Sequence, residues 1–220
     1  MKKLFLLLIV TVLCLHLTGF AQKSRVGITV GVTNSTLNDD IVGNDNGKSR
    51  TGFTAGLIME TPICNSKFSF QPGVHYVQKG EITEETLNTR EYVALRYSEF
   101  QFNFLYNFKG TNGGLFLGAG PALAFNLPSK FVSESGISTP KKDDDSKTEK
   151  SIVFGDDEVS SDARGFDYGA NILAGYRHKK GFLLSFNYTF GLRNLVPGGN
   201  DPSIKNACFS ARLGYLFNNK

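Results

Sequence analysis

Apolar and polar side chains alternate with period two along most of the chain, the pattern of strands whose two faces meet different environments. Val26, Ile28, Val30 and Val32 alternate with Gly27, Thr29, Gly31 and Thr33; Phe53, Ala55, Leu57 and Met59 alternate with Gly52, Thr54, Gly56 and Ile58. Phe68, Phe70, Val74 and Tyr76 oppose Ser69, Gln71, Gly73 and His75, and Phe100, Phe102, Phe104, Tyr106 and Phe108 oppose Glu99, Gln101, Asn103 and Asn107. Five aromatics on one face of one strand demand something other than water against them. A fifth segment, 115–127, is apolar on both faces. Three more then alternate. Phe166, Tyr168, Ala170, Ile172 and Tyr176 oppose Asp167, Gly169, Asn171 and Gly175, while Phe182, Leu184, Phe186, Tyr188 and Phe190 oppose Ser185, Asn187 and Thr189. Ala207, Phe209, Ala211, Leu213, Tyr215 and Phe217 oppose Ser210, Arg212 and Gly214.

The connections between these eight segments alternate in length. Long connections at 38–50, 80–90 and 193–205, and a very long one at 128–163, are interleaved with short ones at 62–67, 109–114 and 177–181. Sorting of turns and loops to opposite ends is the habit of up-and-down membrane barrels, and a soluble sandwich has no reason to show it. The reading is an all-β, eight-stranded antiparallel up-and-down transmembrane β-barrel. Apolar faces turn to lipid and polar faces inward, with aromatics such as Tyr76, Tyr92, Tyr106, Tyr176, Tyr188 and Tyr215 forming interfacial girdles. The lipid-facing aromatics include Phe100, Phe102, Phe104, Phe186, Tyr188, Phe190, Phe209, Tyr215 and Phe217. An even strand number puts both mature termini on one side, the periplasm.

The amino terminus changes the picture by fixing the compartment. Met1-Lys2-Lys3, an apolar run over residues 4–15, and Gly19 and Ala21 before a cut at Gln22 read as a cleaved signal peptide, 1–21. Leu13 before Cys14 is not the small residue a lipidation site needs. The barrel domain is then 22–220, with 128–163 as a long mobile surface loop. That loop carries nine acidic and five basic residues. Its Asp143-Asp144-Asp145 run, interleaved with lysines, lacks the spacing of a calcium loop. The chain has 24 basic and 20 acidic residues, a net charge of +4 that loses two units with Lys2 and Lys3. No basic cluster is interleaved with aromatics, so nucleic acid is excluded as a partner. After the leader, no apolar run is long enough for a spanning helix. Cys64 and Cys208 fall near opposite ends of such a barrel and are expected as free thiols.

Several stretches resemble the PorT-like outer-membrane β-barrel proteins of Bacteroidetes-type bacteria. They are Val26-Gly27-Ile28-Thr29-Val30-Gly31, Gly118-Ala119-Gly120-Pro121, Phe166-Asp167-Tyr168-Gly169, the run from Asn187 to Leu195, and Ala211-Arg212-Leu213-Gly214-Tyr215-Leu216-Phe217. Together they cover essentially the whole mature chain. Where such proteins often carry Tyr-x-Glu-Ile-Pro, this chain has Tyr97-Ser98-Glu99-Phe100-Gln101, and it ends three residues beyond Phe217. The resemblance implies the cell outer membrane as location and an accessory role linked to secretion as one possible function.

Side chains largely fill a barrel of eight strands. Glu60, Glu99, Asp167, Arg193 and Arg212 share the inward parity, and buried charges need partners. The expectation is a lumen charge network, with Glu99 and Arg212 paired at mid-depth and Asp167 and Arg193 paired near the outer rim. His75 shares its face with Ser69 and Gln71, but no nucleophile elbow accompanies them. His178 stands in a basic turn with Arg177, Lys179 and Lys180. No metal-ligand spacing occurs, and no catalytic residue, metal site or cofactor is assigned. The expected role is structural, surface-recognising or accessory to an envelope or secretion machine, without catalysis. A narrow passive channel for small solutes is the alternative. An exported lipocalin-like calyx around an apolar ligand would need the two faces reversed.

Overall fold

The computed structural model describes residues 24–39, 48–63, 67–86, 88–109, 113–135, 146–198 and 203–217. The leader, Cys64 and the Asp143–Asp145 run lie outside them. Nine strands occur among the described residues: β1 (Arg25–Asp39), β2 (Lys48–Pro62), β3 (Phe68–Glu85), β4 (Thr89–Asn107), β5 (Gly114–Ser135), β6 (Ser146–Ser151), β7 (Phe166–Arg177), β8 (Phe182–Gly191) and β9 (Ile204–Leu216). All but β6 form one antiparallel ring. Chain neighbours pair, β5 pairs with β7, and β1 closes on β9 from Gly27↔Leu216 to Asp39↔Ile204. Closure leaves no open edge in the ring, so the inter-strand ladders can supply backbone partners at membrane depth.

Period-two alternation sorts the faces. Val26, Ile28, Val30 and Val32 point out and are about half exposed, while Thr29, Thr33 and Ser35 point in and are buried. The same holds on β8, where Phe182, Leu184, Phe186, Tyr188 and Phe190 are exposed and Ser185, Asn187 and Thr189 are buried. This arrangement overturns the calyx reading, which needs an apolar interior and a wet exterior. The doubly apolar fifth segment fits too: Leu115, Leu117 and Phe125 face out, and Phe116, Ala122 and Ala124 face in.

Outward aromatics gather in two bands. Near the short turns, Phe68–Tyr106, Tyr106–Phe108, Phe182–Tyr215 and Tyr215–Phe217 have ring centroids 5.2–5.4 Å apart. Near the long connections, Phe53–Tyr76, Phe100–Phe125 and Phe125–Phe166 lie 5.0–5.8 Å apart. On β7, about ten residues separate Phe166 from Tyr176, the length a tilted strand needs to cross a bilayer. Tyr92 is not part of either band. Arg50 and Arg90 lie over its ring at 5.1 and 5.8 Å, beyond the apolar belt.

Strands β3, β4 and β5 have 18, 19 and 22 residues, against 12, 10 and 13 for β7, β8 and β9. The excess stands as a wall past the aromatic band near the long connections. β5 is paired with β7 only as far as Phe125↔Phe166; beyond that, β6 takes over along Lys130↔Ser151 to Ser135↔Ser146. The stretches 80–90 and 128–163 are therefore not simply loops. Their polar sequences lack a core-facing period, yet an existing sheet supplies the backbone partners that let them extend it.

At the base of the wall, Gly80 has φ +135°, and a Cβ there would come 1.9 Å from Val93 O. Gly80→Val is expected to cost more than the ~1–2 kcal/mol of a disfavoured positive φ alone, because β3 must also move away from β4. Urea titration of the refolded protein measures it; an unchanged midpoint would show that the bend tolerates a side chain.

Candidate functional site

The lumen is layered. At the short-turn mouth Glu60, fully buried, takes Arg177 on Oε2 and Arg25 on Oε1 at 3.2 Å, with Gln71 Nε2 at 3.5 Å. Above it Ile58, Leu105, Phe116, Leu173, Leu183 and Leu216 pack together. Each comes from a different strand, so this plug exists only in the closed ring. The Arg177 guanidinium lies 5.5 Å over the Phe116 ring, joining the ionic layer to the apolar one.

The middle of the lumen is polar. Asn171 Nδ2 donates to Asn103 Oδ1 at 2.9 Å, and Thr189 Oγ1 donates to Asn171 Oδ1 at 3.0 Å. Arg212 Nη1 donates to Gln101 Oε1 at 3.0 Å and lies 3.3 Å from His75 Nε2. A guanidinium can only donate, so His75 Nε2 accepts and its hydrogen sits on Nδ1. Gln101 Nε2 passes on to Glu99 Oε1 at 2.6 Å, and Glu99 Oε2 holds Lys79 Nζ at 2.5 Å. Lys79 also lies 5.1 Å over the Tyr97 ring. The Tyr97 hydroxyl accepts from Asn206 Nδ2 at 3.0 Å, and the same nitrogen donates to Asp167 Oδ2 at 2.8 Å. One relay thus runs from Asp167 to His75. A second apolar plug of Val93, Leu95, Tyr97, Ala124 and Ile152, backed by Leu37, Phe154 and Ala163, closes the long-loop end.

Glu60, Glu99, Asp167 and Arg212 all lie buried on the inner face, but the two expected pairs are corrected. Glu99 pairs with Lys79, which stands on adjacent β3 four residues beyond His75, the cross-strand partner of Glu99, and it reaches Arg212 only through Gln101. Asp167 is held by Asn206. Arg193 instead bonds Asp156 Oδ1 at 3.0 Å and Phe166 O at 2.9 Å, because the chain leaves the sheet at Gly191 and carries it over the rim. Arg177, expected in a solvated turn, is 1% exposed. Lys79 and Arg177 were both within reach of parity: each continues the odd-numbered inward face of its own strand. The adjoining turn residues masked that signal.

Among the described residues of the lumen, none is arranged as a nucleophile beside its base. Ser69 Oγ accepts from Asn107 Nδ2 at 3.0 Å, while His75 meets Arg212. Among the described residues no group of three His, Cys, Asp or Glu side chains is placed to hold a metal ion. Cys208 is a buried thiol outside any disulfide; its expected lack of pairing with Cys64 involves a residue that is not described.

The wall presents different chemistry. On one face the Tyr92 hydroxyl donates to Glu134 Oε1 at 3.0 Å, and Lys147 reaches both Glu134 and Glu149 at 3.6 and 3.1 Å. Burial, reinforced by the Glu134 hydrogen bond, pushes the Tyr92 phenol above its ordinary pKa. The other face continues the inward parity of β4. It has a cavity of about 340 Å³ lined by Thr83, Glu91, Phe131, Ser133, Thr148 and Lys150. Ile152 and Phe154 belong to the plug at the long-loop end, so removing residues 133–160 would also take away part of that plug.

A closed antiparallel ring with an aromatic-banded apolar exterior and a polar, plugged interior defines an integral β-barrel membrane protein. Residues 20–196 match the family model described as outer membrane protein beta-barrel domain, and the chain belongs to that family of outer-membrane proteins. Among solved structures it is similar to Ail, the attachment invasion locus protein of Yersinia pestis, in complex with the heparin analogue sucrose octasulfate. That likeness has 13% identity and a TM-score of 0.46 over 89% of this chain and 99% of the other. Similarity to Neisserial surface protein A has 11% identity and a TM-score of 0.43 over 87% and 97%. For OprG of Pseudomonas aeruginosa the figures are 9% and 0.38 over 89% and 95%. No curated protein matches the chain.

Proposed function

We propose that this protein is a closed anchoring barrel whose work is done at its long-loop end. There the wall built by β3, β4, β5 and β6 offers a recognition surface to a partner in the envelope or outside the cell. The observation that carries this is the lumen: apolar plugs stand at both ends, with ion-paired and hydrogen-bonded side chains between them. A water-filled path needs neither plug. Ordering so much sheet beyond the membrane is also costly in conformational entropy, and a pore does not require it.

Short turns at one end and the extended wall at the other support an orientation with both mature termini in the periplasm. Kinship with the PorT-like barrels, and with it an accessory place beside a secretion machine, rests on the Gly118-Ala119-Gly120-Pro121 stretch and the run from Asn187 to Leu195. No residue is assigned to catalysis.

The test is single-channel recording from the purified protein in planar bilayers. Silence is expected across the voltage range that opens ordinary porins. A large, stable open level would overturn the anchor reading in favour of passive solute passage.

A further inference from the structure

The exterior of the barrel is not uniform. Across β1, β8 and β9, near the short turns, lies an apolar groove of about 500 Å³. It is lined by aliphatic Ile28, Leu184 and Leu213, aromatic Phe182 and Tyr215, and, at its turn end, His178. The turn there is tightly built. His178 N donates to Phe182 O at 2.7 Å, Gly181 N donates to His178 O at 2.9 Å, and Gly181 has φ +98°. Lys180 N donates to His178 Nδ1 at 3.2 Å. In neutral histidine the hydrogen must then sit on Nε2, which makes the outer edge of the ring a donor. Lys179 and Lys180 are exposed beside it, and among the described residues no carboxylate lies within ion-pairing distance of either.

The charge around this turn has one sign. The short connections carry Lys67, Lys109, Lys179 and Lys180, and none contains Asp or Glu. Glu60, buried under Arg177 and Arg25, is the only carboxylate of the short-turn half among the described residues; the rest belong to the middle of the lumen or the long-loop end. A cationic rim next to a hydrocarbon groove fits a ligand with an anionic head and an alkyl tail.

We infer that the His178–Gly181 turn and the groove beside it form a site for an anionic glycerophospholipid of the leaflet facing the short turns. The phosphate sits among Lys179, Lys180 and His178 Nε2–H, and one acyl chain lies along Ile28, Leu184 and Leu213. The inference takes its leaflet, the periplasmic one, from the orientation proposed above. Its chemistry does not depend on that orientation.

The experiment uses the full mature protein in nanodiscs of phosphatidylcholine with an equal share of phosphatidylglycerol. Native mass spectrometry then reads which lipid stays bound. Phosphatidylglycerol is expected to be retained preferentially. Each lysine near an anionic headgroup contributes about fivefold in affinity, so K179Q/K180Q should lower that preference by about 30-fold. The heat-dependent gel shift verifies that the variant is folded; both side chains are exposed, so it should be. Equal retention of the two lipids by the unaltered protein, or a preference untouched by the double substitution, would overturn the site. Lys179→Cys in a Cys64→Ser background, treated with a membrane-impermeant maleimide on intact cells, reports the orientation separately. Labelling there would move the site to the other leaflet without touching the lipid result.

Discussion

Lys79→Met is expected to cost the folded barrel ~3–5 kcal/mol, the usual loss when one member of a buried ion pair is removed. Lys79 and Glu99 are 2% and 1% exposed and meet at 2.5 Å. With the ammonium gone, the carboxylate keeps Gln101 Nε2 but no direct counter-charge, and the Tyr97 ring loses the cation above it. Removing both charges is a different matter: Lys79→Met with Glu99→Leu leaves no stranded ion, and most of the loss should return. Urea midpoints of the refolded protein, compared across the two singles and the double, read this directly. A single variant as stable as the parent would mean that water or another cation already serves Glu99.

Phe116→Ala is the second large effect. Phe116 is 1% exposed at the centre of the lower plug, and truncating a buried phenylalanine removes ~3–5 kcal/mol. Two further losses fall on the same side. The guanidinium of Arg177 no longer has a ring to cover, and five surrounding aliphatic side chains face a void that a rigid ring of strands cannot close. Phe116→Leu should recover a good part of the stability, since it refills most of the volume. If the alanine variant unfolds at the parent's urea midpoint, the plug contributes little to holding the barrel shut.

The ring and its sidedness were legible because they rest on parity. Where one face of a strand meets lipid, each second residue must be apolar, and the ring strands follow this within the apolar belt, from Val26 on β1 to Tyr215 on β9. The lumen was half legible. Parity found Glu60, Glu99, Asp167 and Arg212, but parity gives a face and no azimuth, so it could not say that Glu99 turns to Lys79 and Arg212 to Gln101. Lys79 and Arg177 were missed because each is followed by turn-like residues, where the alternating signal stops, although β3 itself runs on past Lys79 to Glu85. The wall was hidden for another reason. Lys-Thr-Glu-Lys at 147–150 has neither hydrophobic period nor β-rich composition, and it is a strand only because the end of β5 offers unpaired backbone.

Two of the lumen's ion pairs also differ in the span of chain that joins them. Lys79 and Glu99 are 20 residues apart on the hairpin of β3 and β4, whereas Arg177 and Glu60 are 117 apart and join β7 to β2. The first can form within a single hairpin, so this stretch can enter an apolar phase with its charges already neutralised. The second waits until strands from both halves of the chain have met. Glu60 can meet Arg25 within the β1–β2 hairpin, so Arg177 is the charge that waits, and a barrel stalled before closure would show Arg177 unpaired at the short-turn mouth.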